Sequence, residues 1–203
     1  MVVPGDVGYQ DATMILPLIS LLLMGPSSLV APAHIAGKIT LSSGKPAKWA
    51  VIWLEGREHS KPLKNSMIDQ RDRTFIPHVS VVTVGTKVLF PNNDTIYHNV
   101  FADYDAKKFD LSYYKRGDTK SLVFDKTGLV YLLCQIHEEM SAFILVVDTP
   151  YYAKADEKGD FSITGVPSGT YKLSVWHENR ETERRQLVVS GDQTGLNIQL
   201  HLQ

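Results

Sequence analysis

The sequence predicts an all-β protein, and three features support this prediction. Apolar and polar residues alternate with the period of a β-strand, most clearly at 35–41, 171–175 and 196–202. Turn sequences rich in Gly, Pro, Asp and Ser separate the predicted strands, as in SSGKP (42–46) and DEKGD (156–160). No amphipathic segment of about ten or more residues shows the spacing of a helix. Together these features are typical of β-sandwiches and barrels.

The composition is that of an ordinary globular protein. Of the 203 residues, 43% are hydrophobic and 21% are charged, which argues against wholesale disorder. With 21 basic and 22 acidic residues, the formal net charge of −1 gives no support for nucleic-acid binding. The single cysteine, Cys134, excludes an intramolecular disulfide and a metal centre with two cysteines of this chain.

The amino-terminal segment, residues 1–33, resembles a secretory signal peptide. Its apolar run at 14–24, MILPLISLLLM, is shorter than the about 20 residues that a membrane-spanning helix needs. The small residues of VAPA then predict cleavage after Ala33. Because no Lys or Arg precedes the run, translation from Met14 instead of Met1 is an alternative, and an uncleaved membrane anchor is another. We expect a periplasmic or otherwise exported protein with no membrane span after cleavage.

The rest of the chain falls into stretches of different character. Residues 35–55 predict the first strands, but this stretch is too short to bury a core by itself. Residues 61–73 are polar and predict a linker. Residues 74–149 contain several predicted strands, of which 143–147 is continuously apolar, as expected in a sandwich core.

The two ends of the chain carry a divided pattern. Residues 35–56, IAGKITLSSGKPAKWAVIWLEG, and 155–177, ADEKGDFSITGVPSGTYKLSVWH, resemble the two halves of a carboxypeptidase regulatory-like, or transthyretin-like, domain. The resemblance implies a small sandwich formed by residues 34–60 and 150–203, with residues 61–149 inserted as a second domain. Insertion at a loop tip costs little when the ends of the insert lie close together. Alternatively, the first strands extend the sheet of the middle segment.

Three observations in the middle segment indicate a metal site. CQIHEEM places Cys134, His137 and Met140 at intervals of three, and PNNDTIYHNV places His98 between a polar loop and a β-rich run. Met140 is also one of only two methionines, with Met67, that follow the predicted cleavage point. A thiolate, two imidazoles and a distant thioether are the ligands of a blue copper site. We therefore predict one copper ion, as Cu(I) or Cu(II), bound by His98, Cys134, His137 and Met140.

Other interpretations of these residues remain open. A lone buried cysteine is usually a small core residue, and a structural zinc site uses Cys and His, although seldom Met. His34 would become the amino terminus after cleavage and could chelate copper, but a disordered end is the preferred interpretation. The other histidines, His59, His78, His177 and His201, show no ligand spacing.

The sequences around the predicted ligands also resemble those of cupredoxins. FPNNDTIYHNVFA is similar to the plastocyanin-type segment that supplies the first histidine, and GLVYLLCQIHEEMSAFILVV is similar to the copper loop and the strand after it. The short Cys-x-x-His-x-x-Met loop resembles that of amicyanin. The resemblance implies a Greek-key cupredoxin sandwich over residues 61–149, beside the smaller split sandwich. It also implies a supporting role for Asn99, whose backbone amide approaches the thiolate and whose side chain ties the two ligand segments together. The whole arrangement resembles bacterial proteins described as methylamine utilisation or plastocyanin-like proteins.

These patterns predict a monomeric type 1 (blue) copper protein that carries one electron between a donor and an acceptor protein. Docking should be transient and close to His137, and Glu138 and Glu139 favour a partner with a basic face. Periplasmic copper storage or delivery is the alternative function. We do not expect an enzyme, because a copper oxidase or nitrite reductase needs a second copper held by further histidines, and the chain has no His-x-His pair.

Overall fold

The computed structural model describes Met1 and residues 31–56, 58–103, 106–179 and 181–202. These residues form strands, turns and loops. They contain no helix, and so none that could cross a membrane. The prediction of an all-β protein is therefore confirmed.

The described residues form eighteen strands. The first nine are β1 (Ala33–Thr40), β2 (Val51–Glu55), β3 (Ser66–Met67), β4 (Asp69–Arg71), β5 (Thr74–Ile76), β6 (Val79–Thr83), β7 (Thr86–Pro91), β8 (Phe101–Ala102) and β9 (Phe109–Asp110). The other nine are β10 (Thr119–Phe124), β11 (Gly128–Leu133), β12 (Ser141–Val147), β13 (Tyr152–Lys154), β14 (Asp160–Val166), β15 (Gly169–Trp176), β16 (Glu181–Val189), β17 (Gln193–Gln199) and β18 (His201–Leu202).

Within the described part of the chain these strands pair into five sheets. The strand orders are β14-β1-β17, β13-β2-β15-β16-β18, β10-β7-β3, β6-β12-β11-β8-β9 and β4-β5. Most neighbours are antiparallel, whereas β1 with β17, β3 with β7 and β6 with β12 are parallel. These parallel pairs join strands that are not consecutive in the chain, so three of the five sheets contain crossing connections in addition to antiparallel pairs.

The first two sheets, which contain β1, β2 and β13–β18, enclose one core. We call this pair of sheets the outer sandwich. Its buried residues come from 33–54 and 151–200, so the two ends of the chain build it together. β1 lies between β14 and β17, with Ile35 fully buried. A glycine is needed at Gly37, because a Cβ there would lie 1.9 Å from the carbonyl oxygen of Leu196 in β17.

The predicted signal peptide, residues 1–33, lies almost wholly outside the described residues. Ala33 is described, and it is the first residue of β1, where it pairs with Val166 of β14. Cleavage after Ala33 would therefore remove the residue that begins this strand. Export and the cleavage point both remain predictions.

Two further sheets enclose the central sandwich (β3 and β6–β12). The fully buried side chains of its core include Phe90 of β7, Phe124 of β10 and also Phe75 of β5, which packs into the same core from the β4-β5 sheet. The same core contains Cys134 and Met140, which places the predicted metal loop at the end of β11 and against buried apolar residues. The assignment of the two sandwiches to separate domains, with boundaries near residues 60 and 150, remains a prediction.

A cluster of apolar and aromatic side chains joins the two sandwiches. Phe143 of β12 stacks on Tyr131 of β11, with ring centroids 4.8 Å apart, and also contacts Trp176 of β15 at 5.1 Å. Leu145 of β12 lies in this cluster, whereas Ile144 faces the central core. β12 is thus packed on both faces, which explains why its sequence is continuously apolar and does not alternate.

The prediction of a linker over residues 61–73 is wrong. β3 and β4 lie in this segment, and both Ile68 and Gln70 are fully buried. Gln70 is held by hydrogen bonds, with its Nε2 donating to the carbonyl oxygen of Pro91 at 3.0 Å. This polar segment is therefore part of the folded structure because the buried amide of Gln70 anchors it. Hydropathy alone does not detect such an anchor.

Candidate metal centre

The structure brings three of the four predicted ligands to one point. Nδ1 of His98 lies 3.0 Å from Nδ1 of His137, and Sγ of Cys134 lies 3.9 Å and 3.8 Å from these two nitrogens. His98 and Cys134 are buried, and His137 is half-buried. Met140 is buried in the same core cluster as Cys134, and its N–H donates to the carbonyl oxygen of His137 at 3.0 Å. This hydrogen bond closes a turn over residues 137–140.

Both segments that carry ligands are fixed by backbone pairing. His98 and Tyr114 exchange two backbone hydrogen bonds, of 3.2 Å and 2.9 Å. On the other segment, β11 and β12 pair from Gly128 with Val146 to Leu133 with Ser141, so the loop of residues 134–140 connects two strands of one ladder. The sheet therefore determines where the sulfur and the nitrogens meet, and the loop itself contributes little freedom.

The three donor atoms lie close enough together to hold one metal ion. Two imidazole nitrogens and one cysteine sulfur, with a methionine in the same core cluster, are the donor set of a blue copper site. Structural zinc sites use Cys and His and seldom Met, so this donor set would suit copper better than zinc.

A buried carboxylate that the sequence analysis did not single out lies behind the site. Oδ2 of Asp94 lies 2.8 Å from Nε2 of His98. Burial would raise the pKa of Asp94, but hydrogen bonds from the Arg73 N–H, the His98 ring and the Thr95 N–H outweigh it and bring the pKa to about 2. The ionised carboxylate only accepts hydrogen bonds, so Nε2 of His98 is the donor. In a neutral ring, Nδ1 is then the nitrogen with the free lone pair, and it faces Cys134.

Asp94 could have been suggested by its position four residues before His98 in PNNDTIYHNV. Ligand histidines commonly donate their second N–H to a carboxylate, and that rule was the available signal. The hydrogen bond from Arg73, in contrast, comes from the separate β4–β5 hairpin and has no counterpart in the local sequence pattern.

Asn99 connects the two ligand-bearing segments. Its side chain is fully buried, and its Oδ1 accepts a hydrogen bond from the backbone N–H of Gln135 at 2.7 Å. Gln135 directly follows Cys134, so the residue after the first histidine is tied to the residue after the cysteine. Nδ2 of Asn99 lies 3.4 Å from Asp110, a longer contact.

Apolar and acidic residues next to the candidate ligands in sequence are exposed. Tyr97, before His98, is 58% exposed, and Ile136, before His137, is 48% exposed. Glu138 and Glu139, which follow His137, are exposed as well. The segments that carry the ligands therefore present both apolar and acidic side chains to solvent.

The remaining histidines do not join this cluster. Among the described residues, His98, Cys134 and His137 are the one group of three or more His, Cys, Asp or Glu side chains close enough to hold an ion. In the uncleaved chain His34 lies in β1, with its Nε2 2.8 Å from the hydroxyl of Ser162, and a disordered end at His34 after cleavage stays a prediction.

Comparison with known proteins gives similarity over parts of the chain. The family model of the carboxypeptidase regulatory-like domain matches residues 141–201. Residues 141–147 of this match are β12, which pairs with β6 and β11 of the central sandwich. No curated protein matches the chain by sequence.

Several solved structures of copper proteins are similar to part of the chain. A purple cupredoxin from Nitrosopumilus maritimus is 22% identical over 41% of this chain and 100% of its own, with a TM-score of 0.38. The Cu(I) form of an amicyanin mutant is 16% identical over 47% of this chain and 98% of its own, with a TM-score of 0.38. A copper-containing nitrite reductase from Thermus scotoductus SA-01 is 24% identical over 47% of this chain and 25% of its own, with a TM-score of 0.41. Each of these similarities covers less than half of the chain.

Proposed function

We propose that this protein is an exported, mononuclear type 1 copper protein that carries single electrons between redox partners and is not an enzyme. One observation carries the proposal: the two imidazole nitrogens of His98 and His137 and the sulfur of Cys134 form a triangle with sides of 3.0, 3.8 and 3.9 Å. Copper held there would supply one-electron chemistry between Cu(I) and Cu(II). Export rests on the amino-terminal pattern of the sequence.

The residues around the triangle support rapid electron transfer by holding the ligands still. Asp94 fixes the ring of His98, and Asn99 fixes the start of the loop through Gln135. A site that cannot relax between two geometries needs little rearrangement when its ion gains or loses an electron. The buried position of Cys134 also excludes bulk water and external oxidants from the thiolate.

His137 is the proposed route for the electron. It is half-buried, whereas His98 is fully buried, so a partner can approach the ring of His137 more closely. Tyr97 and Ile136 provide an apolar contact area around it, with Glu138 and Glu139 at the margin. A partner with an apolar port and a basic margin would complement this surface, and docking would be weak and short-lived.

Burial favours a carrier over a delivery protein. Cys134 is 4% exposed and Met140 is 1% exposed, and a delivery protein must present its soft ligands to the receiving protein. Delivery from this site would require the loop of residues 134–140 to open and break the hydrogen bond between Asn99 and Gln135. We therefore propose that the ion is retained and that electrons alone are exchanged.

The visible absorption spectrum of the Cu(II)-loaded protein tests this proposal. We expect a strong thiolate-to-copper charge-transfer band that Cys134→Ser abolishes, because the band requires a Cu–S bond. His59→Gln is the matched control, since His59 is exposed and bonded to Asp148, and it should leave the band unchanged. A colourless wild-type protein with Cu(II) bound under oxidising conditions would overturn the proposal.

A redox titration with a soluble mediator separates the two copper functions. A carrier should cycle reversibly with the ion retained. Retention of Cu(I) alone, with transfer of the ion to a metal-free acceptor, would instead establish delivery.

A further inference from the structure

Asp94 is a buried carboxylate that accepts four hydrogen bonds. Its Oδ2 accepts from the Arg73 N–H at 2.8 Å and from His98 Nε2 at 2.8 Å. Its Oδ1 accepts from the N–H of Thr95 at 2.6 Å and, more weakly, from the hydroxyl of Thr95 at 3.4 Å. No lysine, arginine or histidine side chain other than His98 bonds to it among the described residues, so its negative charge is directed towards His98.

The β4–β5 hairpin is built to supply one of these hydrogen bonds. Its turn residues, Asp72 and Arg73, both have positive φ angles, of 48° and 53°. This is the conformation of a two-residue type I′ turn, which favours Asn, Asp or Gly and disfavours arginine. The hairpin is anchored beside the site by Gln70, whose carbonyl oxygen accepts from the N–H of Asn93 at 3.0 Å. The strained Arg73 backbone is therefore held where its N–H meets Asp94.

We propose that Asp94, held by the β4–β5 hairpin, is a positioning residue that fixes His98 with Nε2 protonated and biases the bound copper towards Cu(II). The inference deepens the proposed function and rests on it for its redox part. The first part follows from hydrogen bonding, because a carboxylate at 2.8 Å requires a donor on Nε2 and leaves Nδ1 for the ion. The chain's own geometry thus presents the metal-binding nitrogen before any metal arrives.

The redox part follows from charge. Asp94 places a second negative charge, besides the Cys134 thiolate, within one imidazole ring of the ion, in a buried site where screening is weak. The carboxylate also makes the His98 ring a more basic ligand. Both effects stabilise the more highly charged Cu(II) more than Cu(I), so they lower the reduction potential.

The tautomer of His98 in metal-free wild-type protein tests the first part without any copper. Nitrogen NMR shifts should show Nε2 protonated and Nδ1 unprotonated, and Asp94→Ala should give a mixture of the two tautomers. Finding Nδ1 as the protonated nitrogen in the wild type would overturn the inference, whatever metal the site binds. Because this measurement uses the wild-type protein, it does not depend on the folding of a variant.

Asp94→Asn tests the redox part, because it removes the charge and keeps the size and one acceptor oxygen. We expect affinity for Cu(II) to fall by about 10–100-fold, with a smaller loss for Cu(I) and a more positive reduction potential. Asp69→Asn is the matched control: Asp69 is a nearly buried carboxylate of the same hairpin that bonds Asn93 and Arg71 but no candidate ligand. A potential unchanged in Asp94→Asn, or shifted equally in Asp69→Asn, would overturn the redox part. The absence of a charge-transfer band in the wild type would refute the proposed function but not the tautomer result.

Discussion

Asn99→Ala should weaken the link between the two ligand-bearing segments by a measurable amount. The substitution removes the Oδ1 that accepts from the Gln135 N–H at 2.7 Å, and it opens a small space where the fully buried side chain lay. A buried donor left without a partner costs about 1–3 kcal/mol, but Gln135 is exposed, so water can partly replace the lost acceptor. We expect a loss of about 1–2 kcal/mol, which for a chain of this size corresponds to about 2–8 °C in Tm.

Chemical denaturation of the metal-free protein measures this loss, and amide hydrogen exchange at Gln135 locates it. Protection at Gln135 should fall in Asn99→Ala, while protection in β11 and β12 away from the loop should change less. Gln199→Ala is the control, because Gln199 is exposed and its amide donates to the carbonyl oxygen of Ser42 at 3.3 Å in the outer sandwich, away from both ligand-bearing segments. If Asn99→Ala keeps both the wild-type denaturation midpoint and the wild-type exchange rate at Gln135, Asn99 does not hold the loop.

Three further predictions concern the scaffold. Trp176→Ala should lower the unfolding free energy by somewhat less than the about 3–5 kcal/mol of a fully buried aromatic, measured by urea denaturation, because Trp176 is half-buried between the sandwiches. Burial would raise the pKa of Glu181, but hydrogen bonds from the N–H and hydroxyl of Ser42 and from Asn179 hold it below its usual value. The ionised Glu181 carboxylate therefore stabilises the folded protein above about pH 4.3, and this stabilisation is lost as the pH falls through the lowered pKa of Glu181 in the folded state. Because Glu181→Gln removes the titrating group, the urea midpoint of the variant should depend less on pH at the acid end. Gly37→Ala should separate β1 from β17 and reduce the yield of folded protein, since its Cβ would lie 1.9 Å from a carbonyl oxygen; a wild-type Tm for this variant would contradict the observed strand spacing.

The fold class could be predicted because strand periodicity is a local property of the sequence. Ile35 and Ile39 are buried in β1 as the alternation predicted, and Asp156 forms the predicted turn by accepting from the N–H groups of Lys158 and Asp160. The segment 61–73 could not be read correctly, because a buried amide, that of Gln70, anchors it where an apolar side chain would have been recognised. Composition describes side chains one at a time, whereas burial of a polar group depends on a partner far away in sequence.

The candidate site also has a part that could be predicted from the sequence and a part that could not. Cys134, His137 and Met140 lie on one loop, so their spacing alone suggested a common point, and His98 was added through a donor set that suits copper. The contact between Asp94 and Arg73 joins residues 21 positions apart through a strained turn, and no periodicity or motif encodes that approach. The candidate ligands within one loop could be predicted from their spacing. The contacts that orient the ligands could be seen only in the tertiary structure.

The double packing of β12 explains how the outer sandwich bears on the metal loop. β12 begins directly after Met140, and its two faces belong to the central core and to the cluster that contains Trp176. At its first residue the carbonyl oxygen of Ser141 accepts from Nδ1 of His78 at 3.0 Å, and Nε2 of His78 contacts Glu178 of the outer sandwich at 2.5 Å. The end of the loop that carries the candidate thioether ligand is therefore braced from outside the central sandwich. A site that must not change shape between two oxidation states gains rigidity from these contacts with the outer sandwich. The outer sandwich therefore has a physical role even before any partner is considered.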